Sequence, residues 1–520
     1  MENNFDDICL NWKEVKILND YSMTLCDLPN GGVVVLLRDD NVNNINIEIG
    51  FKIASKGKAQ GVAHLLEHCM FSDVGDGETL VSSISKLKAK GSSLNGRTSI
   101  RHIVLDYKSN RICSPDMYPN DEEYQKHAKS RNRNKYIKNA SRLHSNILSH
   151  DITRAQLEIE KRVIRDEMEG SYRGDGRDIS KITINNIVYG GPYSSMGNFK
   201  RIKDITVDEI NAMRKLTFNT YNISKIIASV PADLTNEEFE VYIKSVYEAL
   251  KENDMHYLSL KSMKFATVTS EIVRDACIER EYVPDEDDFK ILSMDKNYGS
   301  KTEIRESLAI SGEKSFTTLI ITLPSFKVNP DETGFASIVK HTLIYAVFID
   351  LIMEFYRDIY PSSYGVSFTR YNTFKHNGER YFSKVIAMSF SDNFKETNFT
   401  EARDMFGIWI KNNLDKVSSK LKHNLNSIKA TWYNFANGFY NIQNAIEHSA
   451  VFSIPHYFED MSAEELVGIF NKVLEREEGK VIPKLIADII FKDESIKIDE
   501  IVDVMLSPKY TFVKVNKEDR

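Results

Sequence analysis

Apolar and polar positions alternate with the period of strands over residues 15–53. Gly31-Gly32 turns into the continuous apolar run 33–37, and Ile45, Ile47 and Ile49 alternate with polar neighbours. After Gly61 the spacing changes to that of a buried helix over 62–71. Strand character returns over 94–107, and amphipathic helices follow over 154–169 and 206–218 before a strand at 223–230. Between them, residues 109–139 are polar, carry Pro115 and Pro119, and hold the basic run Lys126, Lys129, Arg131, Arg133, Lys135, Lys138. That stretch reads as an inserted surface loop. A first domain therefore spans 1–245.

Residues 246–305 are weakly patterned and include the acidic Pro284-Asp285-Glu286-Asp287-Asp288, so they are read as the linker. A second domain over 306–520 starts with a strand at 317–323. A long helix reaching Tyr356 follows, then a hairpin at His376-Asn377-Gly378, helices within 400–474 and a last strand at 510–515. Both halves run strand, helix, strand, helices, strand, the order of a duplicated unit.

Composition narrows the function. The 68 Lys+Arg against 75 Asp+Glu leave a formal charge of −7, which does not suit a polyanion, and no nucleic-acid partner is expected. With 42% apolar and 28% charged residues the chain has enough to build large cores. The apolar run 343–349 stops at Asp350, far short of the roughly 20 residues of a membrane span, so no membrane association is expected. The polar start Met1-Glu2-Asn3-Asn4-Phe5 does not read as a secretory signal. Five scattered cysteines without a CxxC pair read as reduced thiols, and the expected location is cytoplasmic.

The sharpest chemical signal is His64-Leu65-Leu66-Glu67-His68. On a helix the two imidazoles lie one turn apart on one face, with Glu67 beside them, the inverted zinc-protease spacing HxxEH. A catalytic zinc needs a third protein ligand and one open position. Glu160 and Glu167, seven residues apart, project from one face of the 154–169 helix, and Glu158 and Glu169 compete with them on composition.

These residues resemble the M16 metallopeptidases, most closely their short two-domain class. Gly61 to Phe71 is similar to the family block G-x-A-H-x-x-E-H-x-x-F. The segment from Gly91 through Leu94-Asn95-Gly96-Arg97-Thr98-Ser99 resembles G-x-x-x-N-A-x-T-S, with Gly96 in place of Ala. Glu160 to Glu167 resembles E-x6-E, and Gly191-Pro192-Tyr193, Gly197 and the helix start at Ile205-Thr206 follow in the family's order. In the second half, Arg357 and Tyr364 keep an Arg-x6-Tyr spacing. The stretch between His68 and Glu167 is longer than is usual in the family, and the insertion at 109–139 accounts for the excess.

The resemblance implies an α+β fold of two related domains, each a mainly antiparallel sheet with helices on one face, together half of a clamshell. It implies one zinc ion held by His64, His68 and Glu167, with Glu67 as general base and Glu160 supporting the site. It also implies that Asn95 and Gly96 hold the substrate as an added strand, while Arg357 and Tyr364 donate to the developing oxyanion. The expected activity is zinc-dependent endopeptidase action on extended peptides or unfolded segments, with maturation of a ribosomally made precursor peptide as one use. The expected partner is a second M16 chain, in a homodimer or heterodimer. The competing reading is a non-catalytic subunit that only completes the shell.

Overall fold

The computed structural model describes residues 10–18, 21–39, 45–53, 61–71, 92–98, 102–109, 120–123, 130–173, 202–262, 302–306, 316–329, 332–359, 366–376, 379–390, 396–436, 462–465, 467–468, 474–477, 480–483 and 496–515. The chain divides into two compact units. Unit 1 comprises Met1–Arg165, Tyr193–Arg280 and Glu459–Asn471, and unit 2 comprises Asp166–Pro192, Glu281–Phe458 and Lys472–Arg520. The fold is α+β.

Unit 1 runs β1 (Lys13–Leu18), β2 (Tyr21–Asp27), β3 (Val33–Asp39), β4 (Asn46–Lys52), α1 (Val62–Phe71), β5 (Ser93–Thr98), β6 (His102–Lys108), α2 (Ser130–Ser149), α3 (Arg154–Arg173, counted with unit 1 up to Arg165), α4 (Val207–Thr217), β7 (Ile223–Pro231) and α5 (Asn236–Ser262). The strands form one seven-stranded sheet in the order β1-β2-β3-β7-β4-β6-β5. Only β3 and β7 pair in parallel. β7 sits mid-sheet, with eight of its nine residues buried, which explains why its sequence is nearly continuous in apolar residues rather than alternating. β5 is the last strand on its side of the sheet, a position that matters for the site.

The β2–β3 turn needs Gly31, whose φ of 84° lies in the left-handed region; its N–H donates to Leu28 O. α4 starts on a full capping box, Thr206 with Glu209. α5 buries Phe239, Tyr242, Ile243, Val246, Tyr247 and Leu250.

Three readings from the sequence change here. The strand read over 94–107 is two antiparallel strands, β5 and β6. The surface loop read over 109–139 ends at Ser130, where α2 begins. Ile137, Ala140, Leu143, Ile147 and Leu148 are buried on one side of that helix, and His144 Nδ1 lies 2.6 Å from the Tyr242 hydroxyl of α5. Ser109 itself closes the sheet: it is 1% exposed and exchanges two hydrogen bonds with the backbone of Ile45. Residues 110–119 and 124–129 lie outside the described part. Finally, α5 continues through 246–262, which had been assigned to the linker; Val246, Tyr247 and Leu250 are core residues, and burial outweighs the polar composition around them. The acidic stretch 284–288 lies outside the described residues.

Unit 2 runs β8 (Thr302–Glu306), β9 (Phe316–Thr322), β10 (Phe326–Val328), α6 (Glu332–Ile359), β11 (Val366–His376), β12 (Glu379–Phe390), α7 (Glu396–Asn412), α8 (Leu414–Ala436), β13 (Leu474–Glu477), β14 (Lys480–Pro483), α9 (Ile498–Leu506) and β15 (Lys509–Val515). Its main sheet has the order β10-β12-β9-β15-β8, with β11 paired to the other side of β12. β15 and β8 are parallel and the other pairs antiparallel, so each unit has a mainly antiparallel sheet with one parallel pair. The hairpin read at 376–378 closes with His376 opposite Glu379. Among the described residues no helix is long and apolar enough to cross a membrane.

Candidate metal centre

α1 is apolar on most of its circumference. Val62, Ala63, Leu65, Leu66, Cys69 and Met70 are all buried, each large side chain contributing about 1.5–3 kcal/mol when fully removed from water. Gly61, at φ 75°, turns the chain into the helix, and Leu65 N–H donates to Gly61 O. What remains of the helix surface is a narrow stripe of His64, Glu67, His68 and Phe71, set by the 3.6-residue period. The packing therefore fixes which way the chemical groups point.

α3 brings the second set. Its first turn is closed by Thr153 and Gln156, each bonding the other's backbone N–H. Leu157 and Ile164 pin its inner side. Lys161 is buried to 7% exposure, and its ammonium donates to Glu158 and to the carbonyls of Lys203 and Ile205, which fixes the rotation of the helix. Glu160 and Glu167 then lie two turns apart on one side.

His64, His68 and Glu167 each offer a ligand atom, and these atoms lie within 4.8 Å of one another. The two imidazole rings meet edge to face with centroids 4.6 Å apart. His68 Nδ1 lies 3.3 Å from Glu160 Oε2, and the Glu160 side chain is only 12% exposed. With a carboxylate as its acceptor, Nδ1 carries the proton and Nε2 keeps its lone pair, the arrangement that orients metal-binding histidines. Burial, and next the neighbouring His68, push the His64 pKa down to about 4, so this ring is a neutral donor at pH 7. Two imidazoles and an exposed carboxylate suit zinc, and three ligands leave a fourth position open. Glu158, an alternative third ligand, is 55% exposed and paired with Lys161 instead. The side chain of Glu169 lies outside the described residues.

Glu67 is 9% exposed, and the Thr98 hydroxyl donates to its Oε2 at 2.8 Å. Thr98 belongs to β5. Leu94, Gly96 and Thr98 face the α1 side of that strand, and Asn95 and Arg97 face the other, where Arg97 pairs with Glu48 of β4 at 2.7 Å. Among the described residues β5 pairs only with β6, which leaves its outer backbone edge available to an added strand. Arg357 is exposed in the last turn of α6 in unit 2, while Tyr364 and the segments around Gly91 and 191–197 lie outside the described residues. Sequence reading gave no role to Thr98 or Lys161. The available signal for Thr98 was its place two residues after Gly96, on the same strand face.

No family model and no curated protein matches the sequence. Solved structures do. A protease from Helicobacter pylori superposes with a TM-score of 0.55 at 14% identity, covering 95% of this chain and 99% of the other. The fold is that of the M16 peptidases. A peptidase M16 inactive domain from Pseudomonas fluorescens gives a TM-score of 0.56 at 14% identity, with 96% and 98% covered. The periplasmic protease PqqL from Escherichia coli gives 0.54 at 12% identity, where 97% of this chain matches 48% of that one. At such identities the likeness is one of fold, and any chemistry rests on the residues described above.

Proposed function

We propose that this chain is a zinc-dependent endopeptidase acting on extended peptides or unfolded segments. The observation that carries the reading is the convergence of His64, His68 and Glu167 beside Glu67, itself held against the edge strand β5. Zinc, when bound there, polarises the scissile carbonyl and acidifies water. The chain's own residues do the rest. An extended peptide adds along the outer edge of β5 at Asn95 and Gly96, so recognition is mainly through backbone and tolerant of sequence. Glu67 takes the proton of the attacking water and passes it to the leaving amine. Glu160 holds the proton on His68 Nδ1 and so keeps the ring in its donor tautomer.

Arg357 and Tyr364 are proposed to donate to the developing oxyanion from a second M16 chain, a homodimer or heterodimer partner. The buried thiols Cys26 and Cys69, neither in a disulfide, fit a reducing, cytoplasmic setting, and maturation of a ribosomally made precursor is one use that suits a backbone-reading site. The test is cleavage of an unfolded polypeptide by the purified chain and by Glu67→Gln. A loss of about 10²-fold or more with zinc retained is expected, and equal activity in the variant ends this reading.

The likeness to an inactive M16 domain supports a second reading, a shell-completing subunit without activity. Mixing an Arg357/Tyr364 double variant with Glu67→Gln separates the cases. Partial return of activity marks shared sites in a homodimer, whereas a zinc-loaded wild-type chain that is inert alone favours the subunit reading.

A further inference from the structure

The geometry points to Thr98 and Gly96 as a cradle that positions the Glu67 carboxylate, one residue holding an oxygen and the other leaving room for its mate. The inference rests on the reading of Glu67 as general base. The two carboxylate oxygens have different surroundings. Oε2 accepts from the Thr98 hydroxyl at 2.8 Å. Oε1 lies against the bare α-carbon of Gly96, so close that a methyl group built there would sit 2.6 Å from it, 2.9 Å from Glu67 Cγ and 2.5 Å from a ring carbon of Phe71. Real side chains do not approach so closely, so any residue larger than glycine moves Glu67, Phe71 or the strand.

The strand's two-residue period is what allows both contacts. Gly96 and Thr98 point to the same face, toward α1, on the strand whose outer edge is the one at which a peptide would add. The same six-residue strand therefore aligns the proposed base and the proposed substrate. A carboxylate that is 9% exposed also needs a donor to remain in place, and the Thr98 hydroxyl is one such donor. Neither residue touches the scissile bond; both act through Glu67, as positioning residues.

Thr98→Val keeps the shape of the side chain and removes the donor. A fall in kcat of roughly tenfold is expected, with KM within about twofold and one zinc still bound, because the strand edge and the metal ligands are untouched. Thr98→Ser restores the donor and should recover most of that loss. Gly96→Ala presses a methyl group against Glu67 Oε1 and the Phe71 ring, both ends of flexible side chains that can give way, so a fall in kcat of only about two- to fivefold at unchanged zinc content is expected, in keeping with the Ala of the M16 block. An unchanged kcat in Thr98→Val, or a Thr98→Ser variant as impaired as Thr98→Val, overturns the cradle.

A readout free of catalysis separates this inference from the function it rests on. In the metal-free protein, thermal unfolding of Thr98→Val, Glu67→Ala and the double variant forms a cycle. Strong coupling between the two is expected, and additive shifts overturn the cradle whether or not the wild-type chain cleaves peptides.

Discussion

Two helix-on-sheet corners of this molecule hold half-buried histidines, and they surround them in different ways. In unit 1, His64 and His68 stand on a short helix whose other faces are buried, and Glu160 of α3 answers His68 from a different helix. In unit 2, His341 of α6 stacks on Phe326 with ring centroids 3.6 Å apart, and its Nδ1 lies 2.8 Å from Ser337 O of its own helix. Burial pushes both His64 and His341 down to about 4. A depressed pKa therefore does not mark a metal ligand. What separates the corners is the company: Glu160 beside His68 and Glu167 at ligand distance in one, an aromatic ring and a local carbonyl in the other, where Glu500 of α9 is paired to Lys340 and reaches His341 only through its charge.

The comparison breaks most visibly through metal loss. His64→Ala, His68→Ala or Glu167→Ala should abolish zinc binding, read by metal analysis after gel filtration. His341→Ala should bind zinc as the wild type does, and should instead unfold about 1–3 kcal/mol more easily through the lost stacking and packing. Zinc loss in His341→Ala would show the two corners to be coupled. Next in size is Glu160→Gln. Its amide cannot hold the His68 proton as a carboxylate does, and a 10–100-fold weaker zinc affinity is expected from competition with a chelator.

The pH dependence sharpens the unit 2 side. Because burial lowers the folded-state pKa of His341, helped by Lys340 and opposed by Ser337 O and Glu500, the neutral ring belongs to the folded state. Its contribution to stability is whole above the unfolded value near 6.5 and is lost as pH falls through about 4. Denaturant midpoints should decline over that window, and His341→Phe should flatten the decline. The smallest effect belongs to Glu158→Ala. That carboxylate is exposed and paired to Lys161, so zinc affinity should stay within about twofold.

The strands within 15–53, β7, β9, β15, α1 and the hairpin before β12 were legible in sequence because each has a strong period and turn residues that agree with it, whereas β5 and β6 read as one strand and β8 fell in the stretch read as linker. α2 was not. Its buried positions, Ile137, Ala140, Leu143 and Ile147, are sparse among Asn, Ser, Lys and Arg, and its stability comes from packing on α5 rather than from its own composition. The extension of α5 past residue 245 was missed for the same reason. At the site, His64, Glu67 and His68 are one motif on one helix, so spacing alone grouped them. Spacing alone left Glu167 and Glu158 open and only the family resemblance pointed to Glu167; the physical basis is the rotation of α3, which depends on Lys161 reaching carbonyls more than forty residues away in the chain. Thr98 stood in the quoted strand block, but its pairing with Glu67 was not legible because strand–helix contacts leave no periodic trace.

One zinc is proposed to bind His64 and His68 of α1 together with Glu167 of α3. X-ray absorption at the zinc edge, with metal stoichiometry, tests it on the purified wild-type chain and on a His64→Ala/His68→Ala double variant. One zinc per wild-type chain, coordinated by two imidazoles and a carboxylate and absent from the double variant, is the expected result. A wild-type chain that takes up no zinc, or a double variant that keeps the same spectrum, contradicts the account.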